Sequence, residues 1–463
     1  MNPIGMDATT FDVAELRERL QGDYVTPGDA NWDEARVAWN LAVDQRPAAV
    51  ALPESPDDVA EIVRYARANG LRVAGQGTGH NAHPLAAGLA DTVLVKTHRM
   101  REVDIDPVAR RARVGAGTLW LDVTVPASMR GLAPLAGSSP DVGVVGYSLG
   151  GGISWLARRH GLSANSVTAI ELVDADGDIV RASADENPDL FWAMRGGGGS
   201  FGIVTALEIV LYPVADLYAG WLIFPMERAT EVLNAWRDWV DAVPDEVTSI
   251  GRLLQVPPLP DIPEQLRGRR LVVVEAAMLM DEARAGELLA PLRALGPEMD
   301  TFASIAPQDL SHLHMDPPHP VPGAADHLLL EDLTPAGIDQ AVRVAGAQSS
   351  SPLLSVEFRH LGGALGRAEP GSGATSSIDA AFAMFFVGMT MDAAMAAAVK
   401  GYLPVVKEAL RPWDAGREYL NFAERTTDVA RLWRPEVHAR LRDVKADYDP
   451  EDMFRSNHPV APA

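Results

Sequence analysis

Three glycine-rich stretches hold the residues of this chain best suited to chemistry. In Leu71-Arg-Val-Ala-Gly-Gln-Gly-Thr-Gly-His80, an apolar lead-in ends in glycines at every second position and then a histidine. Glycines so spaced let the backbone turn tightly and aim several N–H groups at one anion. The closing His80 sets a nucleophilic ring nitrogen beside whatever the loop holds. The second stretch is Gly137-Ser-Ser-Pro-Asp-Val-Gly-Val-Val-Gly-Tyr-Ser-Leu-Gly-Gly-Gly152, and the third is Arg195-Gly-Gly-Gly-Gly-Ser-Phe-Gly-Ile-Val-Thr205. Three such loops in the first half of the chain point to a large, phosphate-bearing cofactor.

Other readings of these spacings fit less well. Gly77-Thr-Gly79-His-Asn-Ala82 matches the dinucleotide pattern G-x-G-x-x-A, but that motif needs a helix starting at once. Here Pro84 and Gly88 intervene, and a helical pattern precedes the strand instead. Gly146-Tyr-Ser148-Leu-Gly150 reads as the G-x-S-x-G elbow of hydrolases, yet it sits inside the second glycine stretch without the required frame. Gly150-Gly-Gly152 is expected to lead into a short helix over 153–160, whose N-terminus would itself attract an anion. His312, His314 and His319 lie near Asp316 in a proline-rich loop and read as surface rather than as a metal site.

The elements that must position these loops follow from the pattern. Ser55-Pro-Asp-Asp58 is a helix start: a serine cap, proline at the first helical position and an acid three residues on. Val59, Ile62, Val63 and Ala66 make its apolar face, and Asn69-Gly70 ends it. Strands are predicted over 71–74, 92–96, 111–114, 168–173, 178–182 and 203–212, with a hairpin turn at Asp174-Ala-Asp-Gly177. Beyond Pro213, strands over 219–224, 248–255, 270–278, 353–358 and 381–388 alternate with helices over 226–242, 281–295 and 335–344. That is an α+β pattern, an antiparallel sheet with helices on one face. A chain of 463 residues, 47% apolar, suits two or three compact units. Its net charge of −23 repels nucleic-acid phosphate and anionic lipid, so neither is an expected partner. No apolar run is long enough for a membrane span, and the N-terminal residues lack the basic start and apolar core of a signal peptide. The chain has no cysteine, which excludes disulfides and fits a cytoplasmic location.

The three loops, with Asp189-Leu-Phe-Trp-Ala-Met-Arg195 ahead of the third, resemble the FAD-linked oxidases of the berberine bridge enzyme type. So does the tail, with Tyr419-Leu-Asn-Phe422, Lys445-Ala-Asp-Tyr-Asp-Pro450 and Met453-Phe-Arg-Ser-Asn457. The resemblance implies a two-domain, PCMH-type FAD-binding fold. Residues 1–215 and 410–463 would form the FAD domain, and 216–409 an inserted substrate domain. It implies FAD held by Gly75, Gln76, Gly77, Thr78, Gly79, His80 and Asn81 of the first loop. Gly137, Ser138, Ser139, Val142, Gly143, Gly146, Ser148, Gly151 and Gly152 would follow from the second, with Ile203, Val204 and Asn421. In the family, the histidine at the position of His80 joins the 8α-methyl of the flavin. Many members add a second link through a cysteine, where this chain has Ser139. One link is therefore the maximum here.

The implied reaction is oxidation of a hydroxyl or amine carbon of a small molecule. Hydride goes to flavin N5, and O2 reoxidises the flavin to give H2O2. Relatives draw a tyrosine or carboxylate base from the substrate domain. Here the matching run, Ala381-Phe-Ala-Met-Phe-Phe-Val387, is apolar, and Phe385 is no base. Candidates are Glu357, Arg359, His360 and Tyr419. Strand alternation puts Glu357 and Arg359 on one face and His360 on the other. Tyr419 and Asn421 match a Tyr-x-Asn-Tyr motif whose last tyrosine is Phe422. The phenol would need a cation such as Arg359 to lower its pKa. The missing base also leaves open a binder that sequesters a metabolite, or a dehydrogenase that ignores O2.

Overall fold

A computed structural model describes residues 12–260 and 262–463; the N-terminal segment read above as lacking a leader lies mostly outside them. Three main sheets place the glycine loops. The first runs Asp23–Val25, Ala49–Leu52, Thr92–Lys96, Arg72–Gln76, Phe454–Arg455, all pairs parallel except the first. Val73, Ala74, Val93 and Leu94 are fully buried, as expected for parallel strands covered on both faces. Helix Pro56–Ala68 covers one face. Its cap forms as the sequence predicts: Ser55 accepts a hydrogen bond from the Asp58 N–H, and Gly70 follows the last turn with φ +66°. The tail strand Phe454–Arg455 pairs with Val73 and Ala74, so the end of the chain lies beside the first glycine loop. That loop leaves the carboxyl end of Arg72–Gln76, where parallel sheets receive ligands.

The second sheet is antiparallel, with Ile203–Val210 between Arg111–Gly115 and Val167–Val173. The third has eight strands, all antiparallel, drawn from residues 218–389. Helices Ala229–Val240, Glu282–Arg293, Pro335–Ala345 and Ala393–Leu410 pack on one face around Phe224, Trp236, Phe358 and Phe386. Each such side chain contributes about 1.5–3 kcal/mol on burial. The helices fix which side of this sheet is core, so the opposite face is left for a ligand. No helix among the described residues is long and apolar enough to cross a membrane.

One local expectation fails. The segment 153–160 is helical only over Ala157–His160, and the neighbouring helix, Val144–Leu149, precedes the glycine triplet rather than following it. The reason is conformational. Gly151 and Gly152 adopt φ of +120° and +81°, where no helix can start. A Cβ on Gly152 would lie 2.4 Å from the Tyr147 ring, and one on Gly151 3.0 Å from the Tyr419 ring. These glycines admit aromatic neighbours rather than open a helix.

Candidate active site

A cavity of about 1380 Å³ lies between the glycine loops and the free face of the third sheet. Its first wall holds most of the residues expected to bind cofactor. Gly75 through Asn81 line it, with Gly137, Ser138, Ser139, Val142, Gly143, Gly146, Ile203, Val204 and Asn421. A side chain on Gly77 would meet nothing nearer than Ala116 O at 3.9 Å, and one on Gly146 nothing within 4 Å. Both glycines therefore offer bare backbone to the cavity. Gly79, with φ +86°, instead turns the loop against Ala38. Ser148, Gly151 and Gly152 do not line the cavity. Ser148 Oγ meets Ser163 Oγ at 3.1 Å, and Gly152 N–H donates to Tyr419 Oη at 2.6 Å. Their part is to support the wall from behind.

His80 ends the loop at the cavity. Its Nδ1 lies 2.7 Å from Thr78 Oγ1. Its buried Nε2 has no hydrogen-bond partner in good geometry, but faces Asp141 Oδ1 at 3.5 Å. Trp39 stacks on the ring with centroids 3.9 Å apart.

The second wall is made of charged side chains that strand register brings together. Arg252 pairs across the sheet with Glu357, and Glu357 with Phe385, so all three share the cavity face. Glu357 and Arg359, two residues apart on Ser355–His360, both reach the cavity, while His360 points away and does not line it. Glu357 is 2% exposed. Its carboxylate takes Arg359 Nε at 2.8 Å on one oxygen and meets His314 Nε2 at 2.8 Å on the other. His314 Nδ1 in turn meets Glu275 at 2.6 Å, and Arg252 reaches Glu275 at 2.9 Å. His314, expected on the surface, is thus the hub of a buried network. The network's signal is spatial and has no counterpart in the local sequence.

The electrostatics sort the candidate bases. Burial disfavours the Glu357 charge, but Arg359, His314 and Arg252 outweigh it and hold the carboxyl well below the usual range. Burial also opposes the His314 imidazolium, yet Glu275, Glu357 and Asp316 raise its pKa to about 9. His360 is pushed down to about 3 by burial and then by Arg158. Tyr419 lines the cavity with Arg359 nearby, but burial outweighs that cation and pushes the phenol above its ordinary value. The expected activation of Tyr419 by Arg359 is therefore not achieved: a buried phenolate costs more than this cation returns. Its oxygen already accepts from Gly152 N–H and from Asn421 Nδ2 at 3.2 Å. A residue outside the expected set fits better. Glu424, just past Phe422, lines the cavity, and no hydrogen bond or ion pair of its carboxylate is found among the described residues. Burial, and then Asp326, push its carboxyl up to about 7.

At the mouth, Leu259, Met315, Met391 and Met395 stand 55%, 54%, 64% and 40% exposed, an apolar rim drawn from three separate segments.

These residues suit FAD. The cavity exceeds the several hundred Å³ of ordinary ligand pockets and so has room for a dinucleotide beside a donor. Bare-backbone glycines can approach a diphosphate, and Val142, Leu149, Ile203 and Val204 offer an apolar bed for a flat ring.

Comparison with known proteins agrees. A family model described as FAD binding domain matches residues 47–183, and one described as berberine and berberine like matches 418–461. The chain is 30% identical to (R)-6-hydroxynicotine oxidase of Paenarthrobacter nicotinovorans, over 96% of this chain and 97% of that one. The solved structure of BBE-like 1 from Physcomitrella patens superposes with a TM-score of 0.84 at 21% identity, covering 97% and 99% of the two chains. A structure of glucooligosaccharide oxidase from Acremonium strictum, whose FAD is described as 6-S-cysteinyl and 8α-N1-histidyl, superposes at 0.79 with 23% identity, over 96% and 97%. The fold is thus the α+β, PCMH-type FAD-binding fold with an inserted substrate domain, and the chain belongs to the berberine bridge enzyme-like family of FAD-linked oxidoreductases.

Proposed function

We propose that the chain oxidises a small, largely apolar donor at a hydroxyl or amine carbon, with FAD attached through His80 and O2 as the final acceptor, yielding H2O2. The observation that carries this reading is the single cavity in which a glycine cradle ending at His80 faces the charged strand face. Bound there, FAD supplies a two-electron acceptor at N5. The histidyl attachment described for glucooligosaccharide oxidase supports the role of His80. That protein's cysteinyl link has no equivalent, since the chain contains no cysteine.

In this reading the glycines of the first two loops would hold the FAD diphosphate, and Asn421 and Tyr419, joined by a hydrogen bond of 3.2 Å, would support the flavin. Tyr419 stays protonated and acts by position. Glu357 and Arg359 orient the polar end of the donor, and Glu424 accepts its proton. A pKa near the working pH suits a general base. The apolar rim of Leu259, Met315, Met391 and Met395 favours an aliphatic or aromatic donor body over a sugar. The absence of cysteine agrees with a cytoplasmic setting.

The test is anaerobic mixing of the flavin-loaded protein with panels of aryl alcohols, cyclic amines and oligosaccharides, then air. Bleaching by the apolar panels, with the colour and one equivalent of H2O2 returning in air, is expected. Bleaching only by sugars would overturn the donor class. Bleaching that persists in air would make the protein a dehydrogenase, and no bleaching by any donor would favour a sequestering role.

A further inference from the structure

We propose that Asp141 is the positioning residue for flavin attachment: it fixes the tautomer of His80 and compensates the positive charge that attachment creates on the ring. This rests on the covalent reading above. Asp141 sits behind His80, off the cavity, and three neighbours hold it. Trp39 Nε1–H donates to Oδ2, Ser139 Oγ donates to Oδ1 at 2.9 Å, and His80 Nε2 faces Oδ1 at 3.5 Å. Trp39 also stacks on the imidazole with planes 18° apart, so one residue locks both the ring and its carboxylate partner.

The tautomer follows from donor and acceptor roles. An ionised carboxylate only accepts, so the proton belongs on Nε2, the nitrogen facing Asp141. Nδ1 then keeps its lone pair, which accepts the Thr78 hydroxyl proton across 2.7 Å. Asp141 is ionised: burial opposes its charge, but contacts with His80, Trp39 and Ser139 outweigh it and keep the carboxyl below its ordinary value. The arrangement leaves a neutral Nδ1 as nucleophile at the cavity end of the loop. It also gives Ser139 a role other than attachment. Where family members place a cysteine on the flavin, this serine holds the carboxylate.

One C–H bond of the 8α-methyl breaks and its proton leaves to solvent. Nδ1 gives up the Thr78 hydrogen bond and forms a C–N bond to that carbon, and the Nε2 proton, made acidic by the new bond, is drawn toward Asp141. The electron pair left on the ring passes, with two protons, to dioxygen and gives H2O2. Asp141 touches neither flavin nor donor, so it acts through His80.

The experiment loads flavin-free protein with FAD in air. Covalent flavin is followed by fluorescence of the denatured chain and by the mass of the His80 peptide. Non-covalent FAD is followed by absorbance. Asp141→Asn keeps the shape and removes the charge; its amide oxygen can still accept from Trp39, while its NH2 would donate to Ser139 Oγ instead of accepting from it. The variant should bind FAD yet attach it about 10–100-fold more slowly, the usual cost of losing a partner that orients a histidine. Asp141→Glu should recover part of the rate. Attachment by Asp141→Asn at the wild-type rate would overturn the proposal. Loss of FAD binding and of thermal stability in both Asp141 variants would also overturn it, by making Asp141 a loop anchor. If the wild type binds FAD but leaves the His80 peptide unmodified, the covalent reading fails first and this inference with it.

Discussion

On one wall of the cavity the groups facing a ligand are mainly backbone, from short continuous loops such as Gly75–Asn81. On the other they are charged side chains gathered from distant strands: His314 meets partners 39 and 43 residues away in the chain. The first wall is intolerant of added carbon at glycines such as Gly79, Gly137 and Gly150. The second is intolerant of lost charge, since removing one member leaves another buried and unpaired. The difference separates what grips a common cofactor from what selects a particular donor. Glu424, on the tail between them, carries a carboxyl that burial raises to about 7.

The comparison breaks most visibly if proton transfer belongs to the charged wall after all. Glu424→Gln is expected to slow anaerobic flavin reduction about 10²–10⁴-fold. In the wild type, with the carboxyl raised to about 7, the base is formed as pH rises through that value, so reduction should accelerate there and the variant should stay flat. Stopped-flow rates at pH 5.5 to 8.5 read this, and a variant within threefold of wild type would return the search to Glu357.

The charged wall can be broken on its own. Glu357→Gln leaves His314 and Arg359 with a neutral neighbour and should cost about 3–5 kcal/mol in urea unfolding. The same network predicts a pH window. His314 is raised to about 9 in the folded chain against 6.5 in the unfolded one. Its contribution is complete below the unfolded value and is lost as pH rises through about 9. Thermal scans should show stability falling across that interval, and less steeply in Glu357→Gln.

A smaller effect sharpens the first wall. Gly77→Val adds carbon where nothing but the cavity lies, at a backbone angle any residue tolerates. The unfolding midpoint of the flavin-free protein should hold, while FAD affinity falls at least about tenfold, or 1.4 kcal/mol. Unchanged flavin content after desalting would mean that this loop does not approach the cofactor.

The two walls also differ in how far the sequence reveals them. Gly77, Gly79 and His80 are neighbours in the chain, so their spacing alone foretells a loop that turns and ends in a nucleophile. The strands over 72–76, 111–115 and 270–278 follow from short apolar, β-branched runs within a residue or two. Gly150–Gly152 mislead, because a glycine triplet looks the same whether it opens toward a ligand or makes room for Tyr147 and Tyr419. His314 reads as surface because prolines surround it, and only the fold reveals Glu275 and Glu357 on either side. Gly323–Leu330 has no strand signature of its own, and pairing with Phe382–Met389 makes it one. Glu424 is an ordinary acid until burial raises its pKa.

The central claim is that this cavity carries FAD with His80 as its anchor, and acid precipitation tests it most directly. Protein purified with its flavin is precipitated in trichloroacetic acid, washed and digested. A yellow pellet and one flavin-bearing peptide, which contains His80, are expected, with a colourless pellet from His80→Ala. A colourless wild-type pellet with free FAD in the supernatant, or flavin on any other peptide, would contradict it.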